Sequence, residues 1–493
     1  MVASVDETAG RMELAEHIKT ISLSPRHTIR DALKAIDLTG WGIAFVLDED
    51  ERLVGLASDG DLRRALLKGC GLGSRLSEIL SGEFVSATVH DSAEAVAKLF
   101  SEKIHLIPIL DDRRRVVDVA FYDRRARLPI ASPHLGEAEL TYVADCVLSG
   151  WISSSGGYVK RFEELLAEFV DVEFGISVSS GTAALHLALG ALDIGPGDEV
   201  IVPTLTFAAT VNAVLYAGAT PVFVDSEPET WNMDPEQVRA AVTPRSRAII
   251  PVHLYGHPAD MAPIMEVARQ HGLDVVEDAA EAHGARFKDA VVGSIGRVGC
   301  FSFYGNKIVT TGEGGAVMTN DPAVAEKVRL LRDHGMSPTR RYWHEVIGYN
   351  YRMTNLQAAV GTAQLEAVER IIARKMEIAR TYDAGFRNLP AVERPPCAPW
   401  ATPVCWLYTM LLKPDTSKVS RDELITRLSA RGIDTRPMFY PIHTMPPYRK
   451  YARRAFPVAE RLSAMGVSLP SSVRLKTEEV KFIVDQVRTI LDR

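Results

Sequence analysis

The apolar and polar positions change period along the chain, and the change divides it. HTIRDALKAID (27–37) carries a helical period and predicts an amphipathic helix. IAFVLDEDERLVGLAS (43–58) alternates around an acidic turn and predicts two short strands, and DLRRALLKG (61–69) predicts a second helix. The same order then returns: DSAEAVAKLFSEK (91–103) as the helix, and HLIPILDDRRRVVDVAF (105–121) as strand, Asp-Asp turn and strand. Prolines and small residues in RARLPIASPHLG (125–136) interrupt both periods and mark a boundary. From Pro133 onward, short and nearly continuous apolar runs alternate with helical stretches: DEVIVP (198–203), TPVFVD (220–225), RAIIPVH (247–253) and LDVVEDAA (273–280). Strands of that kind sit in a sheet covered on both faces, so an α/β domain is expected. After about residue 370 the pattern is more helical and mixed, which suits a smaller C-terminal domain.

Length and charge narrow the function classes. A chain of 493 residues is expected to hold two or more domains. The formal net charge of -7 offers no basic field to nucleic acid or an anionic membrane. The basic runs Arg113–Arg115 and Arg124–Arg125 lie beside acids and are read as solvated surface. The five cysteines show neither a C-x-x-C pair nor metal-ligand spacing, so no metal site and a reducing compartment are expected, with Cys300 as a small buried apolar residue. Met1–Gly10 is acidic without an apolar run, and no stretch approaches the ~20 apolar residues of a membrane helix. A cytoplasmic protein with no direct membrane role is the expectation.

Five segments point to chemistry. In FSFYGNKIVTTGEGG (301–315), Lys307 sits between aromatic residues and a Gly-rich turn; a partly desolvated lysine has a lowered pKa and forms Schiff bases. In LDVVEDAAEAHGA (273–285), Asp278 ends a strand where open α/β sheets place ligands. Buried there, it needs a cationic or hydrogen-bonding partner such as a protonated ring nitrogen; the alternative is a helix cap opening the AAEAHGA segment. SSGTAALHLAL (179–189) opens a helix whose first amides suit a phosphate, with Gly181 allowing close approach and His186 read as packed. In PTLTFAATVNAV (203–214), Phe207 is either core or a stacking face for a flat ring. GYNYRMTNLQAA (348–359) presents Asn350 and Arg352 as contact residues. Arg341, Tyr342, Trp343 and His443 stand in polar-aromatic segments that suit sugar or nucleotide contact and surface packing equally.

The doubled helix–strand–turn–strand–helix order over residues 1–128 resembles a tandem CBS-domain pair, a module that often binds adenine nucleotides. In SDGD (58–61), Ser58 and Asp61 match the ribose-contacting spacing of that family; a turn with a helix cap is the other reading. Tyr122 and Asp123 do not reproduce the spacing in the second copy.

Taken in order, the five segments resemble the DegT/StrS-type sugar aminotransferases of the aspartate-aminotransferase fold, over residues 132–493. The resemblance implies a large pyridoxal-phosphate-binding domain over 132–375 and a small domain over 376–493. It implies that Lys307 carries pyridoxal 5'-phosphate as a Schiff base and shuttles the proton, and that Asp278 keeps the pyridine nitrogen protonated. Phe207 would stack on the ring, and Gly181, Thr182 and Ser302 would hold the phosphate. Asn350 would reach the phosphate of a neighbouring subunit in a homodimer, and Glu281 would lie near the cofactor hydroxyl. Relatives that replace the lysine with histidine are sugar dehydratases; Lys307 argues for amino transfer.

Within the family, GDEVIVPTLTFAAT, RRYWHEVIGYNYRMTN (340–355) and RPMFYPIHTMPPY (436–448) resemble the GDP-perosamine synthases. That implies L-glutamate as donor and GDP-4-keto-6-deoxymannose as acceptor, aminated at C4 for O-antigen synthesis. C4 or C3 amination of a UDP- or dTDP-linked keto-sugar, and an inactive nucleotide-sensing protein, are the alternatives.

Overall fold

The structure, a computed structural model, describes residues 17–39, 41–80, 84–92, 95–96, 99–100, 104, 106–121 and 128–492. Its contacts divide the chain into two units, Met1–Arg127 and Leu128–Arg493. Met1–Gly10, Tyr122, Asp123, Arg124–Arg125 and most of the helix expected over 91–103 lie outside the described residues.

The first unit is built twice from the same parts. Its first sheet has the order β1 (Ser22–Leu23), β2 (Ile43–Leu47), β3 (Leu53–Ser58), and its second the order β4 (Ala87–Thr88), β5 (Leu106–Leu110), β6 (Val116–Phe121). In both, a parallel first pair is followed by an antiparallel hairpin whose register slips at its turn end, between Val46 and Leu47 and between Ile109 and Leu110. The slip has a shared cause. Asp48 Oδ1 accepts the amides of Asp50 and Arg52, both at 2.9 Å; Asp111 Oδ1 accepts those of Arg113 at 2.9 Å and Arg115 at 2.8 Å. Such side-chain-closed turns place Glu51 and Arg114 in the left-handed region, with φ of 60° and 61°. The two hairpins are joined where Leu53 N donates to Arg114 O at 2.9 Å.

Helix Asp59–Leu67 begins at a capping box. Ser58 Oγ accepts from Asp61 N at 3.2 Å, Ser58 N donates back to Asp61 Oδ2 at 3.1 Å, and Arg64 takes the other carboxylate oxygen at 2.6 Å. Both oxygens of Asp61 are therefore engaged within the helix start. An open cavity of about 840 Å3 in this unit is lined by Lys19, Ser22, Asp91, Arg115 and Asp118 among others, and by neither Ser58 nor Asp61.

The second unit is an α/β domain with a smaller α+β part. Its strands are β7 (Phe174–Val178), β8 (Glu199–Pro203), β9 (Thr220–Val224), β10 (Ser246–Ile249), β11 (Asp274–Asp278), β12 (Arg286–Phe287), β13 (Ala290–Val291), β14 (Val298–Ser302), β15 (Gly315–Thr319), β16 (Val392–Glu393), β17 (Ala401–Thr402), β18 (Tyr408–Leu412), β19 (Arg436–Pro437) and β20 (Gly466–Leu469). The main sheet has the order β7-β15-β14-β11-β10-β8-β9, with β15 antiparallel to both neighbours and the pairs from β14 to β9 parallel. The near-continuous apolar strands are buried on both faces, as their sequence predicts. Helix Gly181–Ala191 is buried over most of its length against β14 and β15, so its N-terminus is held rigidly at the C-terminal edge of the sheet.

A second sheet, β16-β18-β20-β19, forms the smaller part with its own core. Helix Val368–Phe386 runs through the expected division at 375/376: Ile371 packs in the large core, while Ile378, Tyr382 and Phe386 pack in the small one. No Pro or Gly interrupts it before Gly385, so the composition changes while the helix continues.

Residues 128–132 are knitted onto distant parts of the same unit. Leu128 N donates to Gly432 O at 2.8 Å, Ser471 N to Ile130 O at 2.8 Å, and Ser472 Oγ to Ser132 O at 3.0 Å. Among the described residues, no helix is long and apolar enough to cross a membrane, and no group of three or more His, Cys, Asp or Glu side chains is placed to hold a metal ion.

Candidate active site

The segments that follow β8, β11 and β14 meet at one edge of the main sheet. Asp278, the last residue of β11, is 6% exposed. Turns rather than a helix follow it, so its carboxylate does not cap one. Instead Oδ2 accepts from Thr210 Oγ1 at 2.7 Å and Oδ1 from Ala280 N at 3.2 Å, and Thr210 is linked to Thr206 at 2.8 Å. Burial pushes the Asp278 carboxyl above the usual carboxylate range, opposed by the Thr210 and Ala280 bonds and by the Lys307 charge. Each carboxylate oxygen keeps a lone pair for one more donor.

Lys307 lies in the loop after β14, its amide bonded to Tyr304 O at 2.9 Å. Its side chain is 12% exposed; Nζ stands 3.8 Å from Glu281 Oε1 and 3.9 Å from the ring centre of Trp406. Burial lowers the pKa of this amine, while Glu281 and Asp278 resist the drop. The same burial raises Glu281 to about 7, although Lys307 and the Tyr255 amide, 2.8 Å from Oε2, both favour its anion. An amine pushed down and a carboxyl pushed up, side by side, are drawn closer in proton affinity, which favours exchange of a proton between them.

Gly181 and Ser302 close the third side. A Cβ on Gly181 would lie 2.7 Å from Ser302 Cβ, so only glycine lets the helix start approach β14 this closely. Ser180 Oγ accepts from Ala183 N at 3.1 Å, and Thr182 and Ser302 are half-buried beside it. A helix beginning of this kind is suited to a phosphate.

Phe207 is 61% exposed at the start of helix Ala208–Tyr216, so it is a surface ring rather than core, with Phe439 at 5.9 Å between ring centres. Asn350 is exposed, its backbone bridged to Asp333, and Arg352 pairs with Asp333 at 3.2 Å. Arg341, Tyr342 and Trp343 are exposed. His443 is buried with both ring nitrogens occupied, by Thr204 Oγ1 at 2.7 Å and Glu460 Oε1 at 3.0 Å, and acts as a tie between segments. His186 packs among Tyr349, Tyr351 and Tyr216. Cys300 is buried in β14.

Four neighbours of the site carry little or no local sequence signal: Thr210, Trp406, Tyr255 and His283. Thr210 follows Thr206 by four positions in a helical register, which is the one local signal among them. His283 is buried near Lys307, and burial together with the Lys307 charge takes it down to about 3, so it is neutral. Beneath the edge, His253 Nε2 meets Glu277 Oε2 at 3.0 Å, both fully buried; Glu277 also accepts the amides of Gly293, Ile295 and Gly296. His253 N donates to Asp278 O at 3.1 Å, so this pair stiffens the strand end that carries the carboxylate.

A desolvated amine, a buried carboxylate with lone pairs to spare and a glycine-walled helix start are the attachments that a phosphorylated aldehyde with a protonatable ring requires. Residues 133–488 match the DegT/DnrJ/EryC1/StrS aminotransferase family and residues 15–68 match the CBS domain. The GDP-perosamine synthase of Caulobacter vibrioides is 46% identical over 366 residues, 74% of this chain and 98% of that protein. The GDP-perosamine synthase of Escherichia coli O157:H7 is 46% identical over 361 residues, covering 73% and 97%. An aminotransferase structure from Psychrobacter cryohalolentis superposes with a TM-score of 0.70 at 32% identity, covering 73% of this chain and 98% of that one. Aminotransferases of the matched family depend on pyridoxal phosphate.

Proposed function

The chain belongs to the DegT/DnrJ/EryC1/StrS aminotransferase family and is a pyridoxal-phosphate-dependent nucleotide-sugar aminotransferase; from there we propose that it transfers the amino group of L-glutamate to C4 of GDP-4-keto-6-deoxymannose, giving GDP-perosamine for surface polysaccharide. Similarity to two GDP-perosamine synthases, each at 46% identity, is the observation that carries the choice of sugar.

When bound, pyridoxal phosphate supplies an electron sink for the carbon that loses its proton. Asp278, already anchored by Thr210, would hold a proton on the ring nitrogen through its free lone pairs. Lys307 Nζ would carry the proton between the substrate carbon and the cofactor carbon on either side of the nitrogen being transferred. Glu281, 3.8 Å away, would accept the surplus proton that otherwise leaves Nζ as a non-basic ammonium. Gly181, Thr182 and Ser302 would hold the phosphate. Phe207 would lie on the ring face, and Asn350 would reach the phosphate of a second subunit in a homodimer. The same residues serve both halves of the cycle, first with glutamate and then with the keto-sugar.

The test is a visible spectrum of the purified protein. A yellow band that glutamate bleaches and GDP-4-keto-6-deoxymannose restores is the expected result. Bleaching without recovery by that sugar overturns the perosamine assignment and favours UDP- or dTDP-linked acceptors.

For the first unit we propose an adenine nucleotide as ligand. The support is the CBS match and the cavity of about 840 Å3, a size within the usual range of ligand sites, with Lys19 and Arg115 on its wall. Titration calorimetry with AMP, ADP and ATP tests it; no heat with any of them rejects it.

A further inference from the structure

We infer that Trp406 is a positioning residue for Lys307: its indole face receives the lysine ammonium and fixes where the amine rests whenever it is free. Nζ stands 3.9 Å from the ring centre, well within the reach of a cation–π contact. The indole is buried and anchored at two points. Its Nε1–H donates to the carbonyl of Asn306, the residue before Lys307, at 2.8 Å, so ring and lysine share one piece of backbone. Its own amide donates to Tyr255 O at 3.1 Å, and its ring stacks on Tyr255 with 5.9 Å between centres and 15° between planes.

Tyr255 in turn donates its amide to Glu281. The two groups that flank Nζ, one carboxyl and one indole, therefore hang from a single residue. The arrangement demands unusual backbone. Tyr255 and Cys405 both adopt left-handed conformations, with φ of 52° and 47°. A bulky residue keeps such a conformation only where surrounding structure enforces it, and strain of this kind gathers at functional sites.

The titratable groups facing Lys307 are Glu281, Asp278 and His283. The acids favour the charged amine and the neutral imidazole adds no charge; among the described residues the indole is the further contact that discriminates ammonium from amine. An aromatic face attracts the cation and is indifferent to the neutral form, so it raises the pKa above that beside an aliphatic wall of equal burial. Trp406 thus opposes the desolvation that lowers Lys307 and sets the pH at which the amine becomes reactive. This rests on Lys307 being the reacting amine.

The experiment is competitive acetylation of the full-length protein with acetic anhydride across pH, after removal of any cofactor, with the Lys307 peptide quantified by mass spectrometry. Trp406→Leu should lower the apparent pKa of Lys307 by about one unit, and Trp406→Phe, which keeps a ring face, by less than half as much. Trp406→Met provides a second non-aromatic wall should the leucine variant fail to fold. An unchanged or raised pKa in the non-aromatic variants, or a phenylalanine variant that matches them, overturns the inference. No cofactor or substrate enters the measurement, so a protein that never shows a yellow band can still pass, and one that turns over normally can still fail.

Discussion

At the scale of single residues, the site depends on two buried acids with different duties. Replacing Asp278 by Asn keeps the Thr210 bond but removes the charge that would face a protonated ring. Breaking a buried charge pair costs about 3–5 kcal/mol, so Asp278→Asn should cut turnover by about 10²–10⁴-fold with little change in melting temperature. Steady-state kinetics beside a thermal melt checks both halves. Glu281 makes a prediction about stability instead. Its carboxyl is raised to about 7 in the folded chain from an ordinary 4.5, because burial disfavours the anion. Between those values the folded state holds a proton that the unfolded chain has lost, so stability conferred by the neutral acid, complete below pH 4.5, declines as pH rises to 7. Glutamine carries no such dependence. The cofactor-free Glu281→Gln variant should therefore gain on the wild type as pH climbs through that window, by up to about 3 kcal/mol, in chemical denaturation at pH 5, 6, 7 and 8. A constant difference across the series would refute it. Lys307 and Asp278 could be found in the sequence because their signals are local: a lysine among aromatic and glycine residues, an acid closing an apolar strand. Thr210 lies 68 positions from Asp278, and Trp406 lies 100 from Asn306, so no local pattern announces either.

At the scale of elements, the decisive contact is helix Gly181–Ala191 against β14. Gly181→Ala would place a methyl group 2.7 Å from Ser302 Cβ, and neither partner is a flexible tip. The helix start must shift away from the strand, at a cost of about 1–3 kcal/mol. Fluorescence titration of the cofactor-free variant with pyridoxal phosphate should show weakening of about tenfold or more, with a lowered melting temperature. Unchanged affinity would mean that this close approach does not shape the phosphate site. Most elements were legible from period alone, since strands buried on both faces and amphipathic helices write themselves into the residue pattern. The junction at 375 was not. Helix Val368–Phe386 trades one core for another without a break, and a change of packing partner leaves no turn signal behind. The capping box at Ser58 and Asp61 shows the converse: the spacing read as a ligand contact is also the spacing of a helix start, and in the structure Arg64 completes it.

At the scale of the molecule, two units with separate cores are strung on one chain. The relatives at 46% identity align over 97–98% of their own length to about three quarters of this chain. A fragment of residues 128–493 should therefore fold and retain amino transfer within about twofold of the full chain, because additivity holds for parts that share no core. Any response of turnover to adenine nucleotides should vanish with the first unit. Kinetics of both forms, with and without ATP, decides this; a fragment that is insoluble or inactive would show that the second unit depends on the first.

The knitting of residues 128–132 onto Gly432, Ser471 and Ser472 also sets a timetable. Ser132 and Ser472 are 340 positions apart, so the stretch that opens the second unit waits for a partner made 340 residues later. At about 5–20 residues per second the wait is roughly 20–70 s, long after the N-terminal unit has left the ribosome and can close on its own local hairpins. During that interval Leu128, Ile130 and Ser132 lack the partners that the folded unit gives them. The interval in which a chaperone has most to protect is written into where the chain's two ends of this unit meet.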